Sequence, residues 1–334
     1  MNLSDRIHDR TVRDTLQVLR YEAGLSKRVL AHLRGLERDL KAALADAGDI
    51  RTKKRLNALL KEAQEAIRDR YAGAQGVYDQ EIPQFVSAQA ESMRATLNGL
   101  VKVDIFRHSL TTEQIQAIAS DTLITGAPSA EWWAAQSSDT LAKFTRIVRM
   151  GMLQGQTGDE MAREVRDMMG TSMRNAQSLV RTSVITTNNA AHMALYDANA
   201  DVLKGVQWSS TLDMRTCQEC GALDAKTWEM GEKHPMPSLH FGCRCALLPV
   251  TKSFEELTGI KGLDDIPEST RASMDGQVAS STTYLEWLGR QDAATKADIL
   301  GPGRARLLES GKISLSDLVD QRGNELTLAD LRKR

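Results

Sequence analysis

The sequence predicts a mainly helical protein with one small α+β lobe, and three observations predict it. Only 4% of its 334 residues are aromatic, few for a sheet-rich chain, while Ala, Leu, Arg, Glu and Gln, which suit helices, are abundant. Apolar residues recur at three- and four-residue steps through most of the chain. Near Gly205 that period stops, and all four cysteines follow within the 29 residues from Cys217 to Cys245.

The length suits two domains plus extensions. A formal net charge of −1 excludes a globally basic nucleic-acid binder, although residues 1–70 hold sixteen Lys and Arg against eleven Asp and Glu. The N-terminal MNLSDRIHDR has no apolar signal-type core, and no run approaches the roughly 18 apolar residues of a membrane span. The expectation is a soluble chain made in the cytosol, with no membrane partner. In that reducing compartment clustered cysteines favour metal over disulfides.

Residues 1–110 read as a helical N-terminal region. Val12, Leu16, Leu19 and Ala23, then Leu33, Leu36, Leu40 and Leu44, then Leu56, Leu59, Ala63, Ile67 and Tyr71 keep helical spacing. The Ala45–Asp49 stretch predicts a turn, and so an antiparallel helical hairpin. Capping boxes at Thr111–Gln114 and Thr157–Glu160 each open a helix. Between them stand Trp132 and Trp133, about 100° apart on a helix, both expected in the core. Residues 171–200 predict a further long helix. Val206–Ser209 and Ala246–Val250 predict short strands flanking the cysteines. Residues 251–280, with Gly259, Gly262, Pro267 and Gly276, have a linker's composition. The tail, 281–334, returns to short helices broken at Gly301–Gly303 and Gly311.

Cys217 and Cys220 form a C-x2-C step, and His240, Cys243 and Cys245 follow. A C-x2-C turn lets two thiolates converge on one ion at about 2.3 Å, and a tetrahedral zinc site then needs two ligands from a distant segment. His240 and Cys243 repeat the x2 spacing. Cys243 and Cys245 point to opposite faces of an extended chain unless a turn intervenes. Two of His240, Cys243 and Cys245 therefore complete a structural zinc site, and the third stays outside it. A lobe of some 45 residues buries too little surface to fold firmly alone, and zinc supplies the missing free energy.

Enzyme signatures are missing from the sequence. Glu219, Glu229 and Glu232 lack the spacing that sets a general base against a catalytic metal, and a His-Asn-His nuclease is disfavoured because no Asn lies between Asn199 and Asn324. There is no phosphate loop, nucleophile elbow or dinucleotide fingerprint. His8, His32, His108 and His192 stand alone on helical stretches and read as surface or packing residues.

Residues from about 145 to 250 resemble the phage Mu F-like head morphogenesis family of minor head proteins. The resemblance rests on Gly151 and Gly155 leading into Thr157–Glu160, Arg181-Thr182, Tyr196, Trp208, Asp213–Cys217 with Cys220, Leu223-Asp224, and His240 with Cys243-Arg244-Cys245. The tail is similar to the C-terminal extension of some members through Tyr284–Leu288, Ile299–Gly301, Arg304–Arg306, Gly311-Lys312 and Leu326–Leu328. Two positions depart from the family's pattern: Ser183 where Glu is usual after Arg-Thr, and Phe241 where Pro is usual after the histidine.

The domains expected are thus a helical region at 1–110, a Mu F-like domain at 111–250 with a zinc knuckle at 206–250, a linker at 251–280 and a helical tail at 281–334. Asp213 is expected to pair with Arg215 or Arg181, and Trp208 and Trp228 to cover the lobe's core. The resemblance implies a virion protein inside the capsid near the portal, assembled in the host cytoplasm and present in several copies or as a homo-oligomer. It implies a role in head assembly, genome packaging or delivery, with portal, major capsid or scaffolding proteins as partners and no reaction. A sequence-independent DNA binder, using Arg51, Lys53, Lys54 and Arg55 on packaged DNA, is the alternative; a metal-dependent enzyme is the other.

Overall fold

Two long helices open the computed structural model, which describes residues 3–47, 52–101, 104–258, 270–279, 281–320 and 324–333. Helix α1 spans Leu3–Ala47 and α2 spans Lys53–Val101. They run antiparallel: Tyr21 stacks on Phe85 with ring centroids 4.4 Å apart, Arg28 pairs with Glu81 at 2.9 Å, and Arg70 with Asp39 at 2.7 Å. Leu33, Leu36, Leu40 and Leu44 of α1 and Leu59, Ala63, Ile67 and Tyr71 of α2 are buried, as their spacing predicts. The predicted turn falls partly on Gly48 and Asp49, and the predicted basic cluster partly on Arg51, all outside the described residues.

The first predicted stripe lies on the wrong face. Ala23 is exposed and Leu19 only half-buried, whereas Asp14, Val18, Glu22, Leu25 and Ser26 face inward; the side chains of Val12, Leu16 and His8 lie outside the described residues. The inward face escaped the period because it carries carboxylates. Glu22 accepts from Ser26 at 2.8 Å and from Arg181 at 3.4 Å, which is what makes its burial tolerable. Helix α2 runs through Pro83. An interior proline costs about 3 kcal/mol, and here Ile82, Phe85 and Val86 are buried on either side of it.

Helix α3 spans Thr112–Asp121, α4 Ser129–Gln154 and α5 Gly158–Ala198. The capping boxes at Thr111 and Thr157 both form. Helix α4 ends at Gly155 in the left-handed conformation, φ 68°, where glycine has no Cβ to clash. Helix α5 passes through Gly170 without a break, so the two helices expected between 158 and 200 are one. Leucines of α1, Tyr71 and Tyr78 of α2, Trp133, Phe144 and Val148 of α4, and Val165, Leu179 and Val184 of α5 share one apolar core.

After a 3₁₀ turn at Ala200–Val202 the chain enters β1 (Leu203–Ser209), α6 (Gln218–Leu223), β2 (Thr227–Glu229) and β3 (Ala246–Thr251). The strands form an antiparallel sheet in the order β2-β1-β3, with Val206 opposite both Trp228 and Pro249. Strand β3 is an edge of this sheet, where a proline removes no needed ladder bond. Strand β2 was not legible, being only three residues long. Trp208 is fully buried in this lobe's core and Trp228 packs half-buried against it; that core also takes Met93 and Leu97 from α2 and Leu195 and Tyr196 from α5.

Within 251–280, where composition predicts a linker, the described residues include α7 (Phe254–Thr258) and a hairpin of β4 (Thr270–Ser273) and β5 (Gly276–Ala279). Gly259, Gly262 and Pro267 lie outside the described residues. The tail contains α8 (Tyr284–Gly289), α9 (Ala293–Leu300), α10 (Pro302–Glu309), a 3₁₀ turn at Leu315–Leu318 and α11 (Leu328–Leu331). Tyr284, Trp287, Leu288, Leu300, Ile313, Leu318 and Leu331 bury themselves together with Leu212 from the β1–α6 loop.

Candidate metal centre

The register of β1 against β3 brings the two cysteine segments together. Ser209 lies opposite Ala246, so the residues just beyond the sheet, Ser210 and Cys245, become neighbours. Cys217 caps the N-terminus of α6 and Cys220 sits one turn in; the Cys220 amide donates to the Cys217 sulfur at 3.4 Å. The chain then returns through Cys243 and Cys245 into β3, carrying His240 over the cap.

The thiols are free. Cys220 Sγ and Cys243 Sγ are 3.8 Å apart, and His240 Nε2 is 3.2 Å from Cys217 Sγ and 3.5 Å from Cys220 Sγ. A disulfide would need about 2.05 Å. A tetrahedral ion with bonds of about 2.3 Å to sulfur and 2.0–2.1 Å to nitrogen has sulfur–sulfur edges of about 3.8 Å and sulfur–nitrogen edges of about 3.5 Å. The donor set therefore fits a metal ion and not a bridge. Cys217, Cys220 and His240 form one mutually close triad, and Cys220, Cys243 and Cys245 another, each within 4.8 Å. All five predicted residues converge.

His240 Nδ1 lies 3.0 Å from the Phe241 carbonyl. A carbonyl only accepts, so Nδ1 carries the proton and Nε2 presents its lone pair to the thiols. Cys245 is placed differently. The Ser210 hydroxyl has one proton, and it is aimed at the Cys220 carbonyl at 2.7 Å. The same oxygen accepts from Trp208 Nε1 at 3.0 Å and lies 3.6 Å from Cys245 Sγ. Towards Cys245 the hydroxyl can then only accept. The Cys217 thiol is pulled down to about 6, first by its hydrogen bond with Cys220, and that of Cys243 to about 2, again first through Cys220, whose own thiol is pushed up by the same sharing. The cluster holds its protons jointly.

The helical body grips this lobe through a polar strip of α5. The Thr182 hydroxyl accepts from the Gly242 amide at 3.0 Å, and Thr186 donates to Ser238 at 3.2 Å. Asn189, 1% exposed, donates to the Cys245 carbonyl and accepts from the Leu247 amide, both at 3.1 Å. None of these three was legible as a site residue. The signals were the Arg181-Thr182 motif and a stretch of small polar residues from Thr182 to Asn189, interrupted by Val184 and Ile185, on a helix that otherwise reads as core.

The ion pairs differ from expectation. Asp213 pairs with Arg244 at 2.5 and 2.7 Å, while Arg215 reaches it only through its backbone amide at 2.9 Å. Arg181 pairs with Glu22 instead, since α5 and α1 lie side by side. Burial would push the Asp213 carboxyl up, but the Arg244 guanidinium and the Arg215 amide hold it below the usual carboxylate range. Ser183 is buried and donates back to the Leu179 carbonyl at 2.7 Å. Trp133 is core as expected. Trp132 is not: half-buried, it donates to the Ile124 carbonyl at 2.7 Å and meets the edge of Phe241, centroids 5.1 Å apart, across an open cleft also lined by Asp139 and Asn175.

Residues 142–248 match the family model described as phage Mu protein F like protein. A protein of Haemophilus influenzae (strain ATCC 51907 / DSM 11121 / KW20 / Rd), described as uncharacterized, is 24% identical over 123 residues, covering 36% of this chain and 27% of the relative. The chain thus spans only about a quarter of that relative's length. No solved structure matches. Among the described residues no helix is long and apolar enough to cross a membrane.

Proposed function

The chain carries a Mu F-like domain over residues 142–248, and from that premise we propose that it is a phage minor head protein acting in head morphogenesis. The match supports a phage head-related protein, and it contains Cys217, Cys220, His240, Cys243 and Cys245. In this reading the protein sits inside the capsid near the portal, contacts portal, shell or scaffolding subunits in several copies, and aids assembly, packaging or delivery. No reaction is assigned to it. Locating the protein in an asymmetric reconstruction of the particle tests the proposal; absence from both procapsid and virion would sink it.

The metal centre's part is structural. Cys217, Cys220, Cys243 and His240 would hold one zinc ion, with Cys245 as the neighbour of Ser210. The single observation carrying this assignment is that the Cys220–Cys243 spacing of 3.8 Å and the Cys220–His240 spacing of 3.5 Å match tetrahedral edges. Zinc supplies the folding free energy that a short three-stranded sheet lacks. Zinc-edge X-ray absorption should show three sulfurs and one nitrogen per ion; a four-sulfur shell would refute the assignment, and less than about half an equivalent of zinc per chain under reducing conditions would refute the site.

A further inference from the structure

Helix α6 has two occupied faces. One carries Cys217 and Cys220 into the ligand cluster. The other carries the C-terminal segment. Gly221 lies against the Tyr284 ring so closely that a Cβ there would stand 2.2 Å from ring carbon Cδ1. Asp224, which ends α6, accepts from the Ser210 amide at 2.7 Å, the Tyr284 amide at 2.8 Å and Arg271 at 2.9 and 3.2 Å. The Arg271–Asp224 pair is 4% and 0% exposed. Arg271 also donates to the Ser210 carbonyl at 2.7 Å and the Thr282 carbonyl at 3.1 Å. The Tyr284 hydroxyl donates to the Thr216 carbonyl at 3.0 Å, one residue before Cys217. The Met274 amide donates to the Leu212 carbonyl at 3.0 Å, and Leu212 itself lies in the tail's apolar cluster.

Apart from the Arg271–Thr282 bond, which lies within the tail, these contacts all land on residues 210–224, the segment whose far side holds the first two ligands. A helix of six residues has too few internal bonds to repay its own nucleation. An ion held by Cys217 and Cys220 would fix its cap and first turn, and so fix where Gly221 and Asp224 stand. The buried ion pair makes the docking all-or-none, because a half-made contact strands a charge away from water.

We infer that the metal knuckle is the latch of the C-terminal module: the ion holds α6, α6 seats Tyr284 and Arg271, and loss of the ion frees residues 270–279 and 281–320 while the helical body stays folded. This rests on the reading of the cluster as a zinc site. Strand β4 also lies against α1, so the opening is greatest beyond it, from α8 to the 3₁₀ turn at Leu315–Leu318.

The test is hydrogen exchange on the full chain, first with its zinc quantified, then after chelation under reducing conditions, and on zinc-loaded Asp224→Asn. Chelation should speed exchange in 284–318 by at least about tenfold, the mark of local opening, and leave α5 residues 158–180 unchanged. Asp224→Asn should open the same segment with its zinc content intact. Unchanged protection of 284–318 in a chain that has lost its zinc would overturn the latch, as would loss of protection in α5 in step with it. A chain that carries no zinc as purified fails at the metal analysis, which identifies the site reading as the error.

Discussion

Replacing Asn189 with Ala tests how the helical body holds the lobe. Its side-chain oxygen accepts from the Leu247 amide and its nitrogen donates to the Cys245 carbonyl, both at 3.1 Å in a site 1% exposed. The Ile185 carbonyl, its third partner at 3.0 Å, still has its helical bond. Truncation therefore orphans two buried backbone groups, each costing about 1–3 kcal/mol. The expected destabilisation is roughly 2–6 kcal/mol, the lower end applying if water enters. Denaturant unfolding at fixed free zinc measures it, because metal bound to the folded state otherwise shifts the midpoint. Exchange of the β3 amides shows where the loss falls. A change under about 0.5 kcal/mol, the range of ordinary surface substitutions, would refute the claim that Asn189 joins α5 to β3.

Four further outcomes are expected. Cys245→Ser should keep one zinc per chain while Cys243→Ser loses it; the reverse would put Cys245 in the site and Cys243 outside it. Gly221→Ala should force the Tyr284 ring aside, costing about 1–3 kcal/mol as overpacking does, and exchange should rise in α8 with zinc retained; an unperturbed α8 contradicts this. Burial, against a backbone contact at Gln89, holds the His192 imidazole down at about 4. Its folded-state value is depressed, so below about pH 6.5 the unfolded chain takes up a proton that the folded chain refuses. Stability should fall as pH drops from about 6.5 to 4, by up to roughly 3 kcal/mol, and that loss should be absent from His192→Gln; parallel pH profiles of the two chains would disprove it. Finally, Lys53 and Lys54 are exposed at the start of α2. If they contact packaged DNA, affinity falls steeply with salt, and a titration at two salt concentrations with no salt-sensitive binding removes that alternative.

Much of the architecture was legible because it follows from local rules. Leu33 to Leu44 and Leu59 to Tyr71 mark buried stripes by period alone, since a helix repeats every 3.6 residues whatever it packs against. Thr111 and Thr157 announce helix starts through bonds made within four residues. The C-x2-C step likewise states its chemistry within one turn. The face of α1 from Asp14 to Ser26 was misread because its burial depends on Arg181, 159 residues away from Glu22. The composition of 251–280 concealed Arg271 for the same reason: a buried guanidinium is tolerable only opposite Asp224, which no local pattern reveals.

The sequence by itself determined that the chain is mainly helical, that part of it is similar to the phage Mu F-like family, and that five residues able to bind a metal arrive as two groups. Only the tertiary structure decided which of them face one another. The β1–β3 register set Ser210 beside Cys245, with their side chains 3.6 Å apart. The same loop, from Ser210 to Asp224, became a docking surface because α6 turns one face to the ligands and the other to Tyr284. Periodicity and spacing are properties of neighbours along the chain, whereas proton sharing and buried charge depend on groups that only folding brings together.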